Sequence, residues 1–217
     1  MKAHFEIEQG SIDWYLIKHG KIGGTRSAGL FNKTDTLFFE LLAEMTERYD
    51  EDNDEEPYLS DAMERGKSLE PQARIELQKY TGIEFLECGW IQSDHELLGI
   101  SPDGISNTLT EQCEIKCLGA KEHLRICLSG KIPLKHLDQC IHAFTVNPKL
   151  ERMFFMAYRP ESPCPIKVIE LKRDDVVNIG TASKPNNKTI KECTEIAIAE
   201  ANRLQKELKE SINKLNF

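Results

Sequence analysis

Apolar positions along the chain change period several times, and the changes mark out the elements. Thr34 to Tyr49 carries Leu37, Phe38, Leu41, Leu42 and Met45 at helical spacing. Leu134 to Val146 does the same with Leu137, Cys140, Ile141 and Phe144, which leaves Gln139 on the shoulder of the stripe and His136 and Asp138 elsewhere on the helix. A long helix is expected over Asn186 to Leu215, with a stripe from Ile190 through Cys193, Ala197, Ala201, Leu204 and Leu208 to Ile212. Ser60 to Tyr80 reads as a further helix, and Pro71 inside it predicts a kink or break near Glu70. Ala120 to Leu128 is a short, partly basic helix, and Ser11 is placed to cap a helix through Trp14. Strands are expected at Ile83–Ser93 and Glu96–Ile100 around an Asp94-His95 turn, at Gln112–Cys117, and as a hairpin at Glu151–Tyr158 and Ile166–Leu171. Helices, strands, helices, a hairpin and a terminal helix predict an α/β fold: a central mixed β-sheet flanked by helices. At 217 residues, with neither internal repeats nor a linker, a single domain over residues 1–217 is expected.

Composition narrows the classes. The formal charge of −8 excludes a protein that coats nucleic acid indiscriminately, although it leaves room for a basic groove. Much of the excess lies in one run, Asp50 to Glu56, which reads as a solvated loop. Seven cysteines without a CxxC pair fit reduced thiols in the cytoplasm; Cys113, Cys117 and Cys140 fall in apolar segments and read as small buried hydrophobes rather than cluster ligands. No apolar stretch has membrane-spanning length.

The stretch Ser101 to Lys116 (SPDGISNTLTEQCEIK) carries the chemistry. On a strand, Glu114 and Lys116 share one face, while Cys113, Ile115 and Cys117 share the other. A turn at Asp103-Gly104 is expected to return a second carboxylate to that point. Two carboxylates and an amine suit a hard divalent cation and an activated water. Earlier in the chain, Gly23-Gly24-Thr25-Arg26-Ser27 reads either as an ordinary loop or as a helix entry offering N–H groups to a phosphate.

Pro102-Asp103, ten intervening residues and Glu114-Ile115-Lys116 match the PD-(D/E)xK nuclease pattern. The string around them resembles the lambda-exonuclease/YqaJ viral recombinase family. So do Arg65-Gly66-Lys67 followed by Glu70, Ala73 and Arg74, then Gln139, and the segment from Trp14 to Ser27. Lys18 stands where the family has arginine, His136 where tyrosine is common, and Thr25 and Ser27 both answer to the family's hydroxyl position. The resemblance implies a restriction-endonuclease-like core. It implies Mg²⁺, with Mn²⁺ able to substitute, on Asp103, Glu114 and the backbone carbonyl of Ile115, and with Glu70 completing the shell. Lys116 would position water or stabilise charge, and Gln139 would orient one of them. Lys18, Thr25, Arg26 and Ser101 would grip a 5′-phosphate, helped by Lys121 and Arg125. The implied activity is 5′-to-3′ digestion of one strand at double-stranded DNA ends, leaving a 3′ tail. Implied partners are two further copies in a ring-shaped homotrimer and a single-strand annealing protein, in a bacterial host cell carrying a phage or prophage. Two alternatives share these residues: an endonuclease or repair nuclease on the same core, and a catalytically decayed subunit that binds DNA ends.

Overall fold

The computed structural model describes residues 1–32, 34–49, 61–181 and 183–215. The acidic run and Ser60, where a helix was expected to start, lie outside them. The elements in chain order are β1 (Lys2–His4), α1 (Ile12–Lys18), a 3-10 turn (Gly24–Arg26), α2 (Gly29–Asn32), α3 (Asp35–Thr46) and α4 (Asp61–Thr81). They continue with β2 (Trp90–Gln92), β3 (Gly99–Ile100), β4 (Gly104–Ile105), β5 (Glu111–Lys116), α5 (Ala120–Ser129), α6 (Leu134–Val146), β6 (Arg152–Tyr158) and β7 (Ile166–Leu171). The chain closes with β8 (Val176–Asn178), β9 (Asn187–Thr189) and α7 (Ile190–Leu215).

The central sheet is mixed, in the order β4-β5-β6-β7. β4 runs antiparallel to β5, β5 parallel to β6, and β6 antiparallel to β7. A parallel pair needs a crossover, which α5 and α6 supply. In register, Glu114 lies opposite Phe155 and Ile115 opposite Met156. Side chains in register share a face. Cys113, Ile115, Phe154 and Met156 therefore pack together with Ala73 and Leu77 of α4. Phe155 and Ala157, on the other face, join Cys140, Ile141 and Phe144 of α6 in the main core. Glu114 and Lys116 thus point toward α6, and any carboxylate from α4 approaches from the opposite side of the sheet. A separate three-stranded sheet, β1-β2-β3, carries the N-terminus.

Several expectations change. α4 runs unbroken through Pro71. The proline removes one backbone N–H, but Ala73 and Leu77 anchor the following turns in the core, and packing outweighs the lost bond. Gly82, at φ +71°, follows the last helical residue and ends the helix. The two strands after it are shorter than the sequence suggests. Asp103-Gly104 is not the reversing turn: Gly104 already pairs with Cys113, and the chain reverses beyond Ser106, through Leu109 at φ +64°. The last helix starts at Ile190 rather than Asn186, because Thr189 and Glu192 form a capping box. The Thr189 N–H donates to the Glu192 carboxylate at 2.7 Å, and the Glu192 N–H donates to the Thr189 hydroxyl at 3.2 Å. The residues just before it pair with β8 instead.

The α6 stripe also proves too narrow. His136 and Asp138 are buried along with the predicted apolar positions, because α7 and the 3-10 turn cover the side of α6 that the sheet does not. Burial, and then the Lys116 charge, pull the His136 imidazole down to about 4. Burial pushes the Asp138 carboxyl up to about 6. A raised carboxyl holds its proton longer in the folded chain than in the unfolded one. Its destabilising effect is therefore absent below the unfolded value and complete above the folded one. Asp138→Asn should gain about 1–2 kcal/mol on wild type between about pH 4 and about pH 8. Denaturant melts of both proteins across that window check this, and a pH-independent difference would refute it.

Candidate active site

The site grows out of the place where β4 begins. Before Gly104 the chain does not yet run alongside β5, so the Ile115 N–H on that edge needs another acceptor. Asp103 supplies it: its Oδ2 accepts from the Ile115 N–H at 2.6 Å. One carboxylate thereby takes over a ladder bond and is fixed beside the next side chains on β5. The Lys116 ammonium pairs with Glu114 and lies 3.9 Å from Asp103 Oδ2. Glu114 is only 4% exposed, so this ion pair is shielded from water.

Arg74 of α4 braces the same point from the other side. Its Nε donates to the Asp103 carbonyl at 2.8 Å, and its guanidinium reaches Glu70 at 3.2 Å and pairs with Glu87. Sequence reading placed Arg74 in a motif without giving it a job. The spacing from Glu70 to Arg74, one helical turn, was the available signal. Gln9 was missed altogether; its side-chain amide donates to the Pro102 carbonyl at 3.0 Å and to the Cys88 carbonyl at 3.2 Å. Glu70, Asp103 and Arg74 open onto a cavity of about 420 Å³.

Electrostatics show what the cluster lacks. Burial and then the Asp103 charge raise the Glu114 carboxyl to about 7. Burial and Asp103 also raise Glu70, against the pull of Arg74. Burial opposes the Lys116 charge, but Glu114 and Asp103 outweigh it and hold the ammonium above the ordinary lysine range. Lys116 is thus a fixed positive charge in this arrangement. Three carboxyl groups gathered at one point carry more negative charge than the lysine and arginine balance, and a divalent cation fits that donor set. Glu70, Asp103 and Glu114 are not drawn to within 4.8 Å of one another as a set. Lys116 stands between Glu114 and Asp103.

The predicted phosphate-gripping residues divide into groups. Lys18, Thr25 and Arg26 line one cavity of about 310 Å³. The Arg26 guanidinium is already engaged by Glu44, with one bond at 2.8 Å, and Glu40 lies 3.8 Å away. Lys18 sits 3.2 Å above the Trp14 ring. Burial, and then Arg26, pull its ammonium down to about 8. The Trp14 N–H donates to the Ser101 hydroxyl at 2.7 Å, so one indole joins the Lys18 cavity to the loop that carries Asp103. Gln139 lies beside the 3-10 turn, its amide 3.7 Å from where a side chain on Gly24 would begin. Lys121 and Arg125 stand exposed on α5, the latter paired with Glu122 at 3.1 Å. Neither pairs with Glu70, Asp103 or Glu114.

This is a mixed α/β fold in which a strand edge, a helix and a preceding loop bring acidic and basic side chains to one point. Residues 13–148 match the model of the YqaJ-like viral recombinase domain. The chain belongs to that family. No curated protein matches it. Among solved structures it resembles an alkaline exonuclease, LHK-Exo from Laribacter hongkongensis, at 24% identity and a TM-score of 0.74. The match covers 94% of this chain and 96% of that one. LHK-Exo in complex with dAMP matches over the same shares at 23% identity and a TM-score of 0.73. At these identities the likeness concerns the fold, which agrees with the mixed sheet and flanking helices expected from sequence.

The Arg74 brace has a direct test. Arg74→Met leaves the Asp103 carbonyl and Glu70 without their donor, and should lower stability by about 1–3 kcal/mol. Urea unfolding measures the loss, and an unchanged midpoint would show the brace to be idle.

Proposed function

We propose that this chain is a metal-dependent exonuclease acting on double-stranded DNA ends. The observation that carries the reading is the Asp103 carboxylate seated on the Ile115 N–H, which puts it next to the Glu114–Lys116 pair. Family membership supports it, as does the similarity to a fold whose solved relative is described as an alkaline exonuclease.

Asp103, Glu114 and the Ile115 carbonyl would hold Mg²⁺, or Mn²⁺ in its place, with Glu70 completing the set from α4. The bound ion would neutralise the phosphodiester and lower the pKa of a water molecule. Lys116, kept charged by its two carboxylate neighbours, orients that water and stabilises the negative charge that builds on the phosphoryl oxygens. It does not serve as the base while so paired. Gln139, beside the 3-10 turn, would orient the water or Lys116. Lys18, helped by Thr25 and Ser101, receives the 5′-phosphate. An anion there offsets the burial that lowers the lysine's pKa. Arg26, tied to Glu44, shapes the cavity more than it contacts the phosphate. Lys121 and Arg125 would meet the DNA backbone farther out.

The finer reading is 5′-to-3′ digestion of one strand, leaving a 3′ tail for a single-strand annealing protein, by a ring of three copies that encloses the duplex. An acidic exterior around a basic channel would reconcile the net charge with a DNA substrate.

Digestion of end-labelled linear duplex, with covalently closed circles alongside, tests the activity. Wild type with Mg²⁺ should degrade the linear DNA and spare the circles. Asp103→Asn and Lys116→Met should each lose about 100-fold or more in rate while remaining folded. Full activity in either variant would sink the mechanism. Cutting of circles would point to an endonuclease, and binding of ends without cutting to a decayed subunit. For the end pocket, Lys18→Met should erase about tenfold of the preference for 5′-phosphorylated over 5′-hydroxyl ends. An unaltered preference, measured on paired substrates, would move the phosphate elsewhere.

A further inference from the structure

A second cluster of metal-binding side chains lies away from the carboxylates, and the proposed nuclease chemistry does not use it. His123 and Cys127 are four residues apart on α5, so they share one face of the helix. Cys164 comes from the loop between β6 and β7. The ligand atoms of these three residues all lie within 4.8 Å of one another, the only such set of His, Cys, Asp and Glu among the described residues. The two sulfurs are 3.3 Å apart, and Cys127 Sγ is 3.4 Å from His123 Nε2. His123 is fully buried and both cysteines are half-buried.

We propose that His123, Cys127 and Cys164 form a binding site for a thiophilic divalent ion of the Zn²⁺ class. The donor types select such an ion: two sulfurs and an imidazole suit a borderline-soft metal and not Mg²⁺. Charge agrees, because two thiolates and a neutral imidazole cancel a divalent ion, leaving a neutral site fit for a half-buried position. Both thiols release their protons to solvent on binding. Without the ion, His123 Nε2 gives its proton to the Cys164 carbonyl at 2.7 Å. Binding moves that proton to Nδ1 and turns the Nε2 lone pair toward the metal. Nδ1 is buried and unpartnered, so it bears a comparable desolvation cost in both states. Three protein ligands leave one position for water. The ion would clamp α5 to the β6–β7 loop, reinforcing the His123 bond to the Cys164 carbonyl and the Arg159 bond to the Leu118 carbonyl, just ahead of α5, at 3.2 Å. It would thereby steady the helix that displays Lys121 and Arg125.

Co²⁺ titration of chelator-treated, fully reduced protein tests the site independently of any nuclease activity. Wild type should bind one equivalent with a thiolate-to-Co²⁺ charge-transfer band and tetrahedral d–d bands, and Zn²⁺ should bleach both. Cys127→Ser and Cys164→Ser should each weaken binding at least about tenfold, and Cys88→Ser should leave it unchanged. Cys164 sits in a half-exposed loop, so its variant keeps the test usable if the α5 variant unfolds. Absence of the charge-transfer band in wild type, or its survival in Cys164→Ser, would overturn the site. So would a protein that binds no Co²⁺ after reduction but loses two hydrogens in air to a Cys127–Cys164 disulfide.

Discussion

The structure turns on holding a lysine and two carboxyl groups together at a point that water scarcely reaches. Burying a charge is costly unless it is paired and hydrogen-bonded. Here each member has a partner, drawn from β5 itself, from the residue before β4 or from α4. Glu114 and Lys116 pair along β5, Asp103 takes the Ile115 N–H that β4 leaves open, and Arg74 holds the Asp103 carbonyl from α4. The late start of β4 is therefore a condition of the site. Had the strand begun earlier, backbone would occupy the position where the Asp103 carboxylate now stands.

Close packing then ties the N-terminal segment to that point. The buried His142 ring donates from Nε2 toward the Ile22 carbonyl at 3.0 Å and the Gly99 carbonyl at 2.9 Å. Burial lowers its pKa, so it bridges them as a neutral donor. A side chain at Gly99 would begin 2.1 Å from the Trp90 ring, which restricts the position to glycine. Trp14 extends the same scaffold, with its N–H on Ser101 and its face under Lys18. An anion bound at Lys18 and a reaction at Asp103 would thus be related through one rigid indole.

The helix α6 shows why amphipathic patterning understated the core. Its sequence presents a stripe of four apolar residues, yet His136, Asp138 and His142 are buried as fully as the stripe. A helix enclosed between a sheet and another helix has little solvent face beyond its first turn to give its polar residues. The resulting depressed histidines and raised aspartate are consequences of position, which local pattern does not encode.

The sequence by itself determined the mixed α/β class, most of the element positions, and the membership of Glu70, Asp103, Glu114 and Lys116 in one family pattern. These are legible because side-chain periodicity and short motif spacing are local properties. Tertiary structure decided that Pro71 does not break α4, since core contacts on the following turns outweigh one missing bond. It also decided that Asp103 enters the site from just ahead of a strand rather than by turning a corner, and that Arg26 is already committed to Glu44. Above all, it brought His123 and Cys127 against Cys164, 37 residues farther along the chain. No motif joins them, because the contact depends on how a crossover helix packs beside a hairpin loop.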